Sequence, residues 1–157
     1  MKCYDPDTSE LIIPDRGKIP VDAESVHRIW GLPNSGLKVW YEMNADITRQ
    51  MMVDYGFPPN GSPDLTSWCK MIEDMAKKSD DLFVRAWSIM AYNFLAPTTG
   101  LKVSPRCYPA VYDVELIPKM NICQFVVDQI RLAFSSLKSK KSVCCCVYHL
   151  MVSAWFF

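Results

Sequence analysis

One stretch near the N-terminus, residues 10–39, constrains the fold more than any other part of the chain. It reads ELIIPDRGKIPVDAESVHRIWGLPNSGLKV. Two short β-prone runs flank the turn sequence PDRG at residues 14–17. Asp22 is a good N-cap for a helix, which Gly31 and Pro33 then end. The stretch therefore predicts a hairpin followed by a short amphipathic helix.

The rest of the chain reads mainly as helices. Apolar and polar residues alternate over residues 37–42, which predicts one more half-buried strand. Apolar residues at 3–4 spacing predict four further helices. These cover a short segment around residues 47–52, residues 65–76 after a start at Ser62-Pro63, residues 82–95 after Ser79 or Asp80, and residues 121–137 after Asn121.

The predicted fold class is therefore mainly α, a helical bundle with a small N-terminal β-hairpin or sheet. The helix over residues 82–95 is apolar nearly all round, which favours a central buried helix with Trp87 inside the core. The predicted core is Ile13, Val26, Ile29, Leu65, Trp68, Ile72, Phe83, Trp87, Met90, Phe94, Phe125, Val126 and Ile130.

Length and charge limit the function classes. The 157 residues are enough for one domain. Lys+Arg and Asp+Glu number 17 each, so no net charge attracts nucleic acid or an anionic membrane. The seven cysteines are odd in number, three are contiguous, and the first ten residues are polar rather than a signal peptide. We therefore expect free thiols in a nuclear or cytoplasmic protein and no secretion.

Residues 138–157 differ from the rest. The basic sequence LKSKK precedes the apolar sequence SVCCCVYHLMVSAWFF. One interpretation is a tail anchor, but the apolar run from Val143 is shorter than the roughly 17–25 residues that span a bilayer. The other is intron read-through or an alternative exon, which predicts a tail that is poorly ordered, prone to association, or an apolar extension of the last helix. We favour the second, and a membrane partner is not expected.

Cysteine and histidine chemistry has few candidates. Cys107 or Cys69 with His27 is the only nucleophile–base pair that the sequence suggests. Cys69 lies on an apolar helix face and reads as a core thiol, and His27 reads as a surface residue. Cys107 follows Arg106 in a proline-bounded loop, and that cation would lower its pKa. A structural thiol remains the favoured interpretation.

Two groups of charged residues are candidates for binding sites. Glu73, Asp74, Asp80 and Asp81 are acidic, but a solvated helix face and a helix N-terminus account for them. A basic aromatic surface for nucleic acid would contain Lys102, Arg106, Tyr108, Tyr112, Lys119 and Arg131. Asp113, Glu115 and Asp128 dilute its charge. We therefore predict no catalytic, cofactor-binding or metal-binding residues.

Several segments occur in an order that resembles a known family. They are YDPDTSELIIP, DAESVHRIWGLP with NSGLKV directly after it, FLAPTTGLKVSPRCYPAVYD and NICQFVVDQIRLAF. Over residues 4–137 this order resembles the plant mobile domain, also labelled aminotransferase-like, of transposable-element-derived plant proteins. Some members of the grass-type group carry a SUMO-type cysteine protease downstream, and nothing like it is present here.

The resemblance implies one domain over residues 1–137, shortened at its N-terminus because such domains usually have a preceding helical segment. Residues 138–157 would then be an atypical apolar tail. It implies a non-enzymatic, transposon-derived interaction domain with an unidentified protein partner. The alternatives are a nuclear nucleic-acid- or chromatin-associated module and, third, a cysteine hydrolase using Cys107. The aminotransferase label would require a pyridoxal phosphate site with a Schiff-base lysine, and the sequence offers no phosphate loop for it. No cofactor is expected.

Overall fold

The computed structural model describes residues 4–77, 80–98, 100–136 and 144–155. It is mainly helical with a small sheet near the N-terminus, so the predicted fold class is confirmed. The strands are β1 (Tyr4–Asp5), β2 (Glu10–Ile13) and β3 (Gly17–Pro20). The α-helices are α1 (Ala23–Trp30), α2 (Ala45–Asp54), α3 (Leu65–Met75), α4 (Asp81–Leu95), α5 (Tyr108–Tyr112), α6 (Ile122–Ser135) and α7 (Val147–Trp155). Two 3₁₀ turns, Pro105–Cys107 and Val114–Lys119, flank α5.

Contacts divide the chain into two compact units. Unit 1 combines Met1–Lys38 with Lys119–Phe157, and unit 2 is the continuous stretch Val39–Pro118. The sheet, α1, α6 and α7 therefore belong to unit 1, whereas α2 to α5 belong to unit 2. Unit 1 is built from two stretches that are far apart in sequence.

The sheet of unit 1 is antiparallel in the order β1-β2-β3. Leu11 pairs with Ile19 across the predicted hairpin and with Tyr4 of β1, and all three side chains are buried. The predicted strand over residues 37–42 does not form. Leu37 instead makes an isolated parallel bridge to Met120, because its backbone groups bond to Lys119 and Asn121 just before α6.

Helix α1 begins and ends as its sequence predicts. The Asp22 carboxylate accepts from the Ser25 amide at 2.8 Å, and the Ser25 hydroxyl accepts from the Asp22 amide at 3.1 Å. This is a capping box, which satisfies donors that a helix start otherwise leaves unpaired. Gly31 has φ 66° and ends the helix in the left-handed region. Both predicted ends are confirmed.

The described part of the tail packs into unit 1. Residues 137–143, 156 and 157 lie outside the described residues, and the basic flank is among them. Within residues 144–155, Cys146, His149 and Leu150 are almost fully buried, and α7 contacts α1 and β2. The prediction of a poorly ordered tail is therefore wrong for these residues. None of the described helices has both the length and the apolar character needed to cross a bilayer.

Unit 2 has its core around Trp68 of α3. Its side chain is fully buried, its indole N–H donates to the Ala86 carbonyl at 3.1 Å, and it packs against the rings of Tyr55 and Phe57. Asp64, not Ser62, caps α3 by accepting from the Ser67 amide.

Helix α4 differs from its prediction. It packs against α3 and α5, and only one face is buried. Trp87 is 60% exposed and Phe94 is 49% exposed, so both are wrongly predicted core residues. A helix buried all round needs neighbours on every side, and the apolar pattern of α4 alone does not say whether they exist. Asp80 caps this helix, and the alternative cap Ser79 lies outside the described residues.

The remaining core predictions fall into two groups. Those that are buried are Val26, Trp68, Ile72, Phe125, Val126 and Ile130, and these are confirmed. Those that are only half-buried are Ile13, Ile29, Leu65, Phe83 and Met90.

Candidate functional site

Cys107 is buried in unit 2 and is not an activated nucleophile. Its thiol donates to the Ser104 carbonyl at 3.0 Å, and burial raises its pKa far above the ordinary value. Arg106 does not offset this, because its guanidinium lies over the Tyr41 ring, 4.8 Å from the centroid. The predicted lowering of the Cys107 pKa is wrong. A thiol that stays protonated at neutral pH is a poor nucleophile.

His27, the base suggested for Cys107 or Cys69, and the other buried cysteines do not form an activated pair either. His27 is an exposed residue of unit 1, as expected, and its Nδ1–H donates to the Leu32 carbonyl at 2.7 Å. Cys69 is half-buried on α3. In unit 1, burial raises the pKa of Cys123 to about 11 and that of Cys145 to about 12. Cys123 and Cys145 are therefore protonated thiols at neutral pH.

The acidic residues are distributed along the surface of α3 and the start of α4. Asp80 accepts from the Phe83 amide at 3.0 Å as the N-cap, and Asp81 lies in the first turn. Glu73 and Asp74 are exposed on α3. Among the described residues, no three His, Cys, Asp or Glu side chains converge as metal ligands would.

The predicted basic aromatic set is split between the units. Lys102, Arg106, Tyr108 and Tyr112 belong to unit 2, whereas Lys119 and Arg131 belong to unit 1. Tyr108 is buried, so its ring cannot stack on a base. Tyr112 lies under the Arg85 guanidinium, 5.6 Å from it. Neither unit carries the whole set.

A polar cluster that sequence reasoning missed lies in the core of unit 1. His149 of α7 accepts the indole N–H of Trp30 at Nδ1, at 3.1 Å. Its Nε2 is 3.3 Å from the Ser25 hydroxyl, which comes from a residue 124 positions away in sequence. His149 is fully buried and Ser25 nearly so. The available signal was weak: one histidine within an apolar run.

The hydrogen bonds fix the tautomer of His149. The Ser25 hydroxyl donates its proton to the Asp22 carbonyl at 2.7 Å, so it can only accept from the imidazole. Nε2 therefore carries the proton, and Nδ1 is the acceptor for Trp30. Burial lowers the His149 pKa to about 4, with a small opposing effect from Asp22. A neutral imidazole that donates to serine cannot act as the base that activates it.

Within the described residues, a surface pocket lies in each unit. The pocket in unit 1 has a volume of about 570 Å³ and lies among β3, α1 and α7, next to the cluster. Its lining is largely apolar, and the hydroxyls of Ser25 and Ser153 already bond within the protein. The pocket in unit 2 has a volume of about 340 Å³ and is lined by α2, residues 59–62 and Tyr108. Neither brings together side chains that identify a ligand.

The most distinctive surface of unit 2 is the outward face of α4. Val84, Trp87, Ala91 and Phe94 are all exposed and follow one another at spacings of three, four and three residues. Such spacing places side chains on one side of a helix. We call these four residues the α4 stripe. The sequence pattern identified all four residues as part of an apolar helix, and it wrongly placed Trp87 and Phe94 in the core.

Comparison with known proteins gives a family and nothing narrower. A model of the family described as Domain of unknown function (DUF8566) matches residues 1–151. The match includes the first half of α7, which fits its packing in unit 1. No curated protein and no solved structure is significantly similar to the chain.

Proposed function

Because the chain belongs to the DUF8566 family, whose description gives no activity, we propose a function from its surfaces: it is a protein-interaction domain without a catalytic role. The α4 stripe is the contact surface. The observation that carries this proposal is the exposure of two large aromatic side chains, Trp87 and Phe94, on one helix face.

Large exposed aromatic residues are costly to a free protein and useful at an interface. Contiguous apolar patches mark binding sites more often than the rest of the surface does. Tryptophan is also prominent among the residues that dominate binding energy. The stripe has no charged member, which is typical of the centre of an interface rather than its rim.

The chemistry of the other candidates supports a non-catalytic role. Cys107 is a buried thiol with a raised pKa, and the His149 tautomer is wrong for activating Ser25. The proposal also includes the origin that the resemblance implies, a transposable-element-derived plant domain in the nucleus or cytoplasm.

Site-specific photo-crosslinking in cells tests this function. A benzophenone amino acid at position 87 keeps an aromatic group on the stripe, and the same group at Lys70, exposed on α3 of unit 2, is the matched control. We expect adducts to protein from position 87 alone, and we expect Phe94→Glu to abolish them. Equal adducts from both positions, or adducts that persist with Phe94→Glu, would contradict the proposal.

A further inference from the structure

We infer that the α4 stripe binds a second copy of this chain, with the two α4 helices antiparallel. The inference rests on the proposed function, because it names the partner of the same surface. It comes from the order of large and small side chains along the stripe. That order is small, large, small, large: Val84, Trp87, Ala91, Phe94.

This order is self-complementary in an antiparallel pair of helices. The two-fold axis of such a pair passes between the helices at the level of position 89, midway between Trp87 and Ala91. Residues equally far from position 89 then face each other across the axis. Trp87 faces Ala91 of the second copy, and Val84 faces Phe94. Every layer thus combines one large and one small side chain, which is how apolar layers fill space without a void or a clash. A parallel pair would put Trp87 against Trp87 and Ala91 against Ala91.

The charges along α4 do not oppose this arrangement. The helix has two charged residues, Asp81 and Arg85. Across the same axis, Arg85 corresponds to Asn93 and Asp81 to Pro97, so no like charges meet. Arg85 is also compensated within its own copy by Asp54, 3.5 Å away. Beside the axis, the uncharged residues Ser88 and Met90 correspond to each other.

The exposed area indicates a weak dimer. With exposed fractions of 60% and 49%, Trp87 and Phe94 offer about 250 Å² per copy. A standard stable interface buries about 800 Å² per partner. The rings therefore supply roughly a third of such an interface, and we expect weak association that depends on protein concentration.

Sedimentation equilibrium of the purified full chain tests the inference. Across about 5–500 µM, the average mass should rise from the 18.0 kDa of one chain toward twice that value. Trp87→Ala leaves a hole in two layers, and Ala91→Trp puts two indoles in each of the same layers. Each single variant should weaken association at least tenfold.

The two single variants should also complement each other. When they are mixed, the alanine pair of one chain faces the tryptophan pair of the other, so a heterodimer should form with both layers restored. The double variant Trp87→Ala, Ala91→Trp should recover self-association for the same reason. Non-specific hydrophobic association predicts instead that Ala91→Trp strengthens self-association, because the substitution adds apolar surface. Far-UV circular dichroism of each variant checks that the helices remain.

The outcomes separate this inference from the proposed function. A wild-type chain that stays monomeric over the whole concentration range overturns the inference that the partner is a second copy. Crosslinks from position 87 to a different protein would then still support the proposed interaction function. Single variants that lose association with no recovery in the mixture overturn the antiparallel register. A monomer without crosslinks at position 87 overturns both proposals.

Discussion

Among the described residues, each unit has a buried polar side chain that joins a helix to a segment elsewhere in the chain, and these two side chains differ in chemistry. In unit 1 it is His149, bonded to Ser25 and Trp30. In unit 2 it is Asn93 of α4, whose amide accepts from the Ser104 amide at 2.8 Å and donates to the Ile89 carbonyl at 2.8 Å. An amide keeps its hydrogen bonds at any pH, whereas an imidazole can gain a proton. Of these two hydrogen-bonded side chains, only His149 of unit 1 gains a proton as the pH falls, so its hydrogen bonds depend on pH in the acid range.

Three tryptophans of the two units also differ in how far they are buried. Unit 2 buries Trp68 completely and exposes Trp87 on the next helix, whereas unit 1 uses Trp30 as a half-buried hydrogen-bond donor. Trp68 and Trp30 both donate from the indole N–H, so the extent of burial is what distinguishes these three residues. The predictions that follow use these contrasts, from the largest expected effect to the smallest.

Trp68→Ala should be the most damaging substitution in unit 2. It removes a fully buried ring and leaves a cavity between Tyr55 and Phe57. We expect a loss of about 3–5 kcal/mol in the free energy of unfolding, measured by chemical denaturation. A loss below about 1 kcal/mol would show that this ring is not the centre of the core.

Stability should fall as the pH falls from about 6.5 to about 4. In the unfolded chain His149 takes up a proton near its ordinary pKa of 6.5, whereas in the folded protein burial holds its pKa at about 4. Over this window the unfolded state binds more protons, so acidification favours unfolding by up to about 3 kcal/mol. Denaturation curves at several pH values measure the effect.

His149→Gln is the control for this pH dependence. Glutamine can still donate to Ser25 and accept from Trp30, but it does not titrate. The variant should lose most of the slope between pH 4 and 6.5. An unchanged slope would assign the effect to other groups.

Gly36→Ala should disrupt the place where the two stretches of unit 1 meet. A Cβ at this position would be 2.1 Å from the carbonyl oxygen of Lys119, and the φ of 113° disfavours any other residue. We expect a loss of about 2–3 kcal/mol. Gly31→Ala is the matched control, because its φ is also positive but no atom lies within 4 Å of its Cβ. That variant should lose only about 1 kcal/mol.

Trp87→Ala should have the smallest effect on folding. Because this side chain is mostly exposed, the free energy of unfolding at low protein concentration should change by less than about 0.5 kcal/mol. The comparison with Trp68→Ala is direct, because each change replaces a tryptophan of unit 2 by alanine. A loss comparable to that of Trp68→Ala would place Trp87 in a core after all.

The sequence predicted the local features of this fold because local chemistry determines them. Asp22 and Gly31 delimit α1 through bonds within a few residues, and the hairpin follows from its turn. The face that α4 buries depends on α3 and α5, which periodicity within one helix does not contain. His149 was missed for a similar reason, since its partners Ser25 and Trp30 are 124 and 119 positions away. The sequence thus shows the apolar residues of the α4 stripe, but it does not show that they are exposed.

The interrupted chain path of unit 1 has a consequence for biosynthesis. Unit 2 is one continuous stretch, Val39–Pro118, so the ribosome delivers all of its helices before α6 and α7 exist. Its contacts can close early, whereas the sheet and α1 can pack against α6 and α7 only after those distant helices have been synthesised. Until α7 emerges, the imidazole partner of Ser25 and Trp30 is missing, and the apolar surface that α7 covers on α1 stays open. A nascent chain stalled before residue 144 therefore presents to chaperones a surface of α1 that α7 covers in the full chain.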